Sequence, residues 1–473
     1  MKRAKRLGLL AGVLVVVSAL AFGVLHYQEQ TEQIRASGET VLEVDSAAVE
    51  EFSWEYQSHD PLSFHRDEEG NWVYDEDSAF PVDGGALDSL LEQFRSFGAA
   101  FTIEDVTDLG QYGLDEPICT VRFTAGDTDY EILLGNYSTM DTQRYVSIGD
   151  GNVYLAVNDP LSSFDVTIRD LIDNDEVPSF GTVTALTLDG TETLQITRQE
   201  YTEGSTLTYC ADDLYYLERD GSRLPLDTDR VESYLRALEG LALTDYKTYQ
   251  ASQEDLSVYG LDDPELTVTV TDTPADSEDG ESRTFTLEIS RDPAEAAEAA
   301  ASDGDTGSDG EETITAYARV AGSEIVYQIS GTSYETLMAA GYDDLRHTEL
   351  FTGSEEQVTG LDITLDGAEY TLTADGDGED RVFLYDGEEA DTDTLFRALE
   401  ALTAEDFTDE QPTQKEEISL TIHLDSESFP EVQLTLYRYD GQSCLAVVNS
   451  TPWALVSRES VVDLIEAVNA IVL

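Results

Sequence analysis

Lysine is almost missing from this chain: Lys2, Lys5, Lys247 and Lys415 are all there is, and 25 basic residues face 99 acidic ones for a net charge of -74. A nucleic-acid partner needs a cationic face to neutralise its phosphates, so that class is excluded. The phosphate-cradling loop, which needs Lys directly after Gly, goes with it, as does most lysine nucleophile chemistry. Cysteine is nearly as scarce. Cys119, Cys210 and Cys444 are far apart in strand-like contexts, an odd, sparse set that is no disulfide framework and reads as buried small hydrophobes.

Histidine is limited to His26, His59, His65, His347 and His423, and no HExxH, HxH, CxxC or GxSxG occurs. Zinc hydrolysis and serine-hydrolase elbows therefore lack their signatures. His59 and His65 have a spacing that neither strand nor helix turns into a metal face. Acids for glycoside cleavage are so abundant that no pair can be singled out. Asp375, Asp377, Glu379 and Asp386 approach a calcium loop, yet its sixth position is Asp380 rather than Gly and its last is not Glu, so an acidic hairpin tip is the better reading. No catalytic, cofactor-binding or metal-binding residue is nominated, and no cofactor is implied. Diffuse association of divalent cations with the acidic bulk is expected.

What is present begins with Leu7 to Leu25, an apolar run without charge that follows Lys2, Arg3, Lys5 and Arg6. As a helix it would span about 28 Å, close to the roughly 30 Å of bilayer hydrocarbon. The basic flank predicts a single-pass cell-membrane protein, N-terminus cytoplasmic and bulk extracytoplasmic, with membrane lipid as a partner. A cleaved signal peptide ending near Ala19-Leu20-Ala21 is the competing reading.

Beyond it the sequence repeats. Asp108-Leu109-Gly110-Gln111-Tyr112-Gly113-Leu114-Asp115-Glu116-Pro117 returns as Asp255-Leu256-Ser257-Val258-Tyr259-Gly260-Leu261-Asp262-Asp263-Pro264, at an offset of 147. The two glycines suit the left-handed close of a helical turn, the leucines plug the core, and the prolines open a strand. An amphipathic helix precedes each copy: Leu87, Leu90, Leu91, Phe94 and Phe97 in one, Val231, Tyr234, Leu235, Leu238 and Leu241 in the other. A third, opened by Asp391-Thr392-Asp393, carries Leu395, Phe396, Leu399 and Leu402. Acidic and hydroxyl residues at these starts can cap free backbone N–H groups.

Short alternating strands flank every helix, and each unit is predicted to close with a second helix, near 162–172, 333–345 and 459–471. The expected fold is α+β: an N-terminal transmembrane helix, then three repeated units of antiparallel β-meanders with two helices each. The boundaries read as a tip and anchor at 1–27, a tether at 28–44, and units at 45–175, 180–350 and 355–473. The third unit lacks the Tyr-Gly-Leu-Asp turn. Residues 293–312, rich in Ala, Gly, Ser, Asp and Glu, read as a mobile acidic insertion.

This arrangement resembles the DUF4340 family, a bacterial domain of unknown function. The likeness rests on the Gly-Leu-Asp-x-Pro turns, the hairpin at Leu133-Leu134-Gly135 and the Val153-Tyr154 strand, and is best over 45–350. It implies an N-terminal anchor and, from members encoded beside ABC-type exporter subunits, an accessory envelope role with those subunits as partners. It supplies no catalytic residues. The expected function is thus a non-enzymatic, membrane-anchored extracytoplasmic scaffold or accessory protein. A glycan- or peptide-binding module, using Trp54, Trp72 or Trp453, is the alternative, and an uncharacterised hydrolase the third.

Overall fold

A computed structural model describes residues 38–104, 106–202, 204–275, 277, 280–301, 314–376 and 381–473. The chain divides into two compact units, one up to Asn174 and one from Asp175 to Leu473. Among the described residues the architecture is three antiparallel sheets of nine strands and seven helices.

The first sheet contains β1 (Glu39–Leu42), β2 (Val49–Tyr56), β3 (Leu62–Arg66), β4 (Trp72–Tyr74), β5 (Phe97–Ile103), β6 (Cys119–Ala125), β7 (Thr128–Ser138), β8 (Gln143–Ser147) and β9 (Val153–Ala156), with helix α1 (Gly84–Glu92). Its order is β1-β5-β9-β8-β7-β6-β2-β3-β4. The core is aromatic: Trp54 packs against Phe52, Phe64 and Phe164 with ring centroids 5.1, 5.6 and 5.7 Å away.

The second sheet contains β10 (Thr182–Asp189), β11 (Thr193–Arg198), β12 (Tyr215–Arg219), β13 (Ser222–Pro225), β14 (Tyr246–Thr248), β15 (Leu266–Thr273), β16 (Arg283–Arg291), β17 (Ala316–Val320) and β18 (Val326–Ile329). Four helices accompany it: α2 (Thr228–Glu239), α3 (Pro293–Ala301), α4 (Gly331–Met338) and α5 (Tyr342–Leu345). The third sheet contains β19 (Val358–Leu365), β20 (Ala368–Asp375), β21 (Val382–Tyr385), β22 (Glu388–Ala390), β23 (Ala404–Phe407), β24 (Glu416–Leu424), β25 (Glu431–Arg438), β26 (Ser443–Val448) and β27 (Thr451–Ser457), with α6 (Asp393–Glu400) and α7 (Arg458–Val472). Its core is almost wholly aliphatic.

The orders β13-β12-β11-β10-β15-β16-β17-β18-β14 and β22-β21-β20-β19-β24-β25-β26-β27-β23 are the same arrangement strand for strand. The first sheet lacks a counterpart of β13 and gains β1 on the opposite border. All three carry a β-bulge at one place, beside the pairs Val49 with Ala125, Val183 with Asp272, and Val358 with Leu424. All six border strands are three or four residues long, which blunts the exposed ladder groups through which sheets aggregate.

The helical spacings hold within each helix, but Phe97 falls on β5, and Phe94, Leu241 and Leu402 lie past the helix ends. Leu87, Leu90 and Leu91 are buried on α1, Val231, Tyr234, Leu235 and Leu238 on α2, and Leu395, Phe396 and Leu399 on α6. Asp83 and Asp227 cap the first two by accepting from Ala86 N and Arg230 N. Gly113 and Gly260 are left-handed at φ 68° and 72°, and Leu114 and Leu261 are buried behind them.

The expected fold class is nonetheless overturned. Meanders before and after each helix do not stand apart; pairing of β2 with β6, β10 with β15 and β19 with β24 fuses them into one sheet. Nor does each unit have two helices. The segment expected to close the first is two short turns, Leu161–Phe164 and Ile168–Leu171. Asp159 accepts from Leu161 N and Asp170 from Thr167 N, so two competing starts break the run. In the acidic insertion, 293–301 form α3, where alanine supplies helix propensity and Asp292 accepts from Ala294 N and Glu295 N; 302–313 lie outside the described residues. Within the tether, 39–42 are strand β1, paired to β5.

The membrane anchor is also corrected. Among the described residues no helix is long and apolar enough to cross a membrane, so the transmembrane helix and the single-pass localisation built on it are unsupported. The run from Leu7 to Leu25 lies outside the described residues.

Candidate functional site

One loop of the second sheet is longer than its counterparts in the other two. Between β11 and β12 it runs through residues 199–214, where the first sheet has 67–71 and the third 376–381. Tyr209 on this loop reaches the third sheet's core, with Phe351 and Phe429 at centroid distances of 5.9 and 5.8 Å. Gln357 Nε2 donates to Tyr209 O at 2.9 Å. The loop thereby joins the second sheet to the third within one compact unit.

Asp213, at the end of this loop, is 1% exposed. A carboxylate there needs partners to offset desolvation. Its Oδ2 accepts from Thr208 Oγ1 at 2.5 Å, and its Oδ1 lies 2.7 Å from His347 Nε2. His347 sits on the connector after α5. Burial alone would lower its pKa, but hydrogen bonding to Asp213 and the nearby charges of Asp213, Asp227 and Glu349 outweigh that and raise it. Glu349, two residues on, is held in place by an isolated bridge to Thr403. Asp227, the α2 cap, is the remaining neighbour.

Two cavities meet at His347 and Glu349. One, of about 580 Å³, is bordered by Asp212, Asp213, Asp227, Asp229, Glu349 and Glu400, with Cys210 in its wall. The other, of about 230 Å³, is aromatic, bordered by Tyr209, Tyr342, Phe429 and Trp453. Arg346 lies in its wall, its guanidinium 4.7 Å from the Tyr342 ring, 4.1 Å from Phe407 and 4.9 Å from Trp453, a cation held over π faces.

Of the three tryptophans weighed in the sequence, Trp54 and Trp72 are core, and Trp453 borders a cavity. His59, His65 and His423 pair singly with Asp165, Asp75 and Asp362, apart from the site. Asp386 starts the tight turn between β21 and β22 with φ 50°, followed by Gly387 at 83°; Asp377, Glu379 and Asp380 lie outside the described residues. Asp213, Asp227 and Glu349 were lost among the acids. The length of the 199–214 loop was the one signal that could have marked them.

Antiparallel nine-stranded sheets, two of them sharing a titratable cleft, define a multi-sheet architecture. The chain matches the description Domain of unknown function (DUF4340) twice, over 72–246 and 219–421, and it belongs to that family. The two matches start 147 residues apart, the offset of the Tyr-Gly-Leu-Asp motif. No curated protein and no solved structure matches it.

Proposed function

We propose that this protein works by binding rather than by chemistry, as a scaffold or accessory subunit of a larger assembly. The observation that supports the reading, against thiol chemistry, is that all three cysteines are buried. Burial, the main cause in each case, pushes Cys119 and Cys210 up to about 12 and Cys444 up to about 11. Activated cysteines are shifted the opposite way. The family resemblance makes subunits of ABC-type exporters the partners to test, and the acidic surface would steer cationic faces toward it. In-cell crosslinking of the full chain followed by affinity purification is expected to recover such subunits in a fixed ratio. Recovery of the chain alone, together with turnover of a test ester or glycoside, overturns the reading.

The aromatic cavity favours a second reading, capture of a sugar or peptide side chain beside Trp453. Trp54 and Trp72 are buried, so a ligand there should perturb tryptophan emission in the wild type and not in Trp453→Phe. Unchanged emission with cell-wall oligosaccharides and with peptides removes it.

A further inference from the structure

His347 uses Nε2 on Asp213, and its other ring nitrogen, Nδ1, faces Glu349 Oε2 at 3.8 Å. That gap exceeds hydrogen-bonding range, and Glu349 Oε2 is buried with no hydrogen-bond partner. An imidazolium merely bridging two carboxylates would close both sides, as it does toward Asp213. Asp227 stands on the third side: one ligand atom each from Asp227, His347 and Glu349 lie within 4.8 Å of one another. The acidic cavity opens on this trio, and no lysine or arginine borders it among the described residues.

We propose that Asp227, His347 and Glu349 bind one divalent ion of the Zn²⁺ class. Bonds of about 2.0–2.1 Å to a tetrahedral ion set neighbouring ligand atoms roughly 3.3 Å apart, so the trio, now within 4.8 Å, must draw in around the ion. An imidazole in the set selects a borderline ion over Ca²⁺ or Mg²⁺, which prefer oxygen alone. Asp213 supplies the buried carboxylate that fixes the tautomer and ring orientation of a ligating histidine. Glu349 gains the partner its buried oxygen lacks. Arg230, whose Nε is 3.6 Å from Asp227 Oδ2, is the competing cation. The ion would clamp the start of α2, in the second sheet, to the connector that leads into the third.

The test is calorimetric titration of the full-length protein with ZnCl₂ in excess Mg²⁺, with circular dichroism to confirm folding. One Zn²⁺ per chain is expected. Asp213→Asn should weaken binding about 10–100-fold, His347→Gln and Glu349→Gln by more, and Arg230→Gln should tighten it. Glu349→Gln keeps the shape of a half-buried side chain, so it carries the test should Asp213→Asn fail to fold. Displacement of Zn²⁺ by Mg²⁺, or a Glu349→Gln variant that binds as wild type, overturns the proposal.

Discussion

The second and third sheets share every strand position, and one place where they differ is the connection between their second and third strands. In the third sheet that connection takes up 376–381; in the second it is 199–214, the loop that carries Thr208, Tyr209, Cys210 and Asp213. The longer one builds a cleft. The difference shows where a repeated scaffold can take on something new: in a connection, leaving the ladder alone. The bulge position makes the same point at single-residue scale. Where the first and third sheets place Ala125 and Leu424, the second places Asp272, fully buried. It accepts from Gly181 N at 2.8 Å and from Arg283 Nε and Nη2 at 3.1 and 2.8 Å.

The largest expected effect tests whether the two cores are equivalent. Counting from the bulge, Leu420 on β24 corresponds to Val268 on β15, and both are fully buried. Leu420→Ala should cost about 2–5 kcal/mol in urea unfolding, and Val268→Ala roughly 1 kcal/mol less, for one fewer methylene. A reversed ranking would break the correspondence.

Next comes Asp272→Leu, which installs the hydrophobic character of the third sheet in the second. Leaving Gly181 N–H and Arg283 without their acceptor should cost about 1–3 kcal/mol at neutral pH. Acid sharpens the contrast. Burial would raise the Asp272 pKa, but Arg283 and Gly181 outweigh it and hold it below its ordinary value. With an unfolded value near 3.9, its contribution is whole above that pH and drains away as pH falls through the lower folded value. Thermal melts between neutral and strongly acidic pH should show that loss in the wild type and a flatter profile in the variant.

How much of this was legible follows from range. The helices α1, α2 and α6 announce themselves through spacing within a dozen residues, and the glycine turns through a motif that local sterics explain. Fusion of two meanders into one sheet does not, because β10 meets β15 only after the whole first meander and helix have intervened. Strand β1, with two of its four residues exposed, has no alternation to betray it. The cleft was the least visible part. His347 and Asp213 are 134 residues apart, and one acid among 99 carries no label.

Smaller effects compare the first sheet with the second. Gly113→Ala and Gly260→Ala each force an L side chain into left-handed backbone, so each should cost about 1–2 kcal/mol. The added Cβ would meet the movable end of Asn136 in the first case but the backbone carbonyl of Arg291 at 3.2 Å in the second. Gly260→Ala should therefore be the worse of the two, read by calorimetry. Smallest of all is Arg122→Ala, which removes cross-strand pairs to Glu55 and Glu131 at 3.0 and 2.9 Å on an open face. Such pairs contribute about 0–1 kcal/mol. Arg319 and Glu288 form the more enclosed pair in the second sheet, at 2.6 Å, and Arg319→Ala should cost more than Arg122→Ala.

The stubby strands that finish every sheet on both sides carry a consequence for ancestry. A module that seals its own margins can be copied in tandem without creating a seam that recruits stray chains, so a gene of this kind can lengthen by duplication without adding open ladder edges. Innovation is then free to gather in the connections, where the lengthened loop of the middle copy has already begun it.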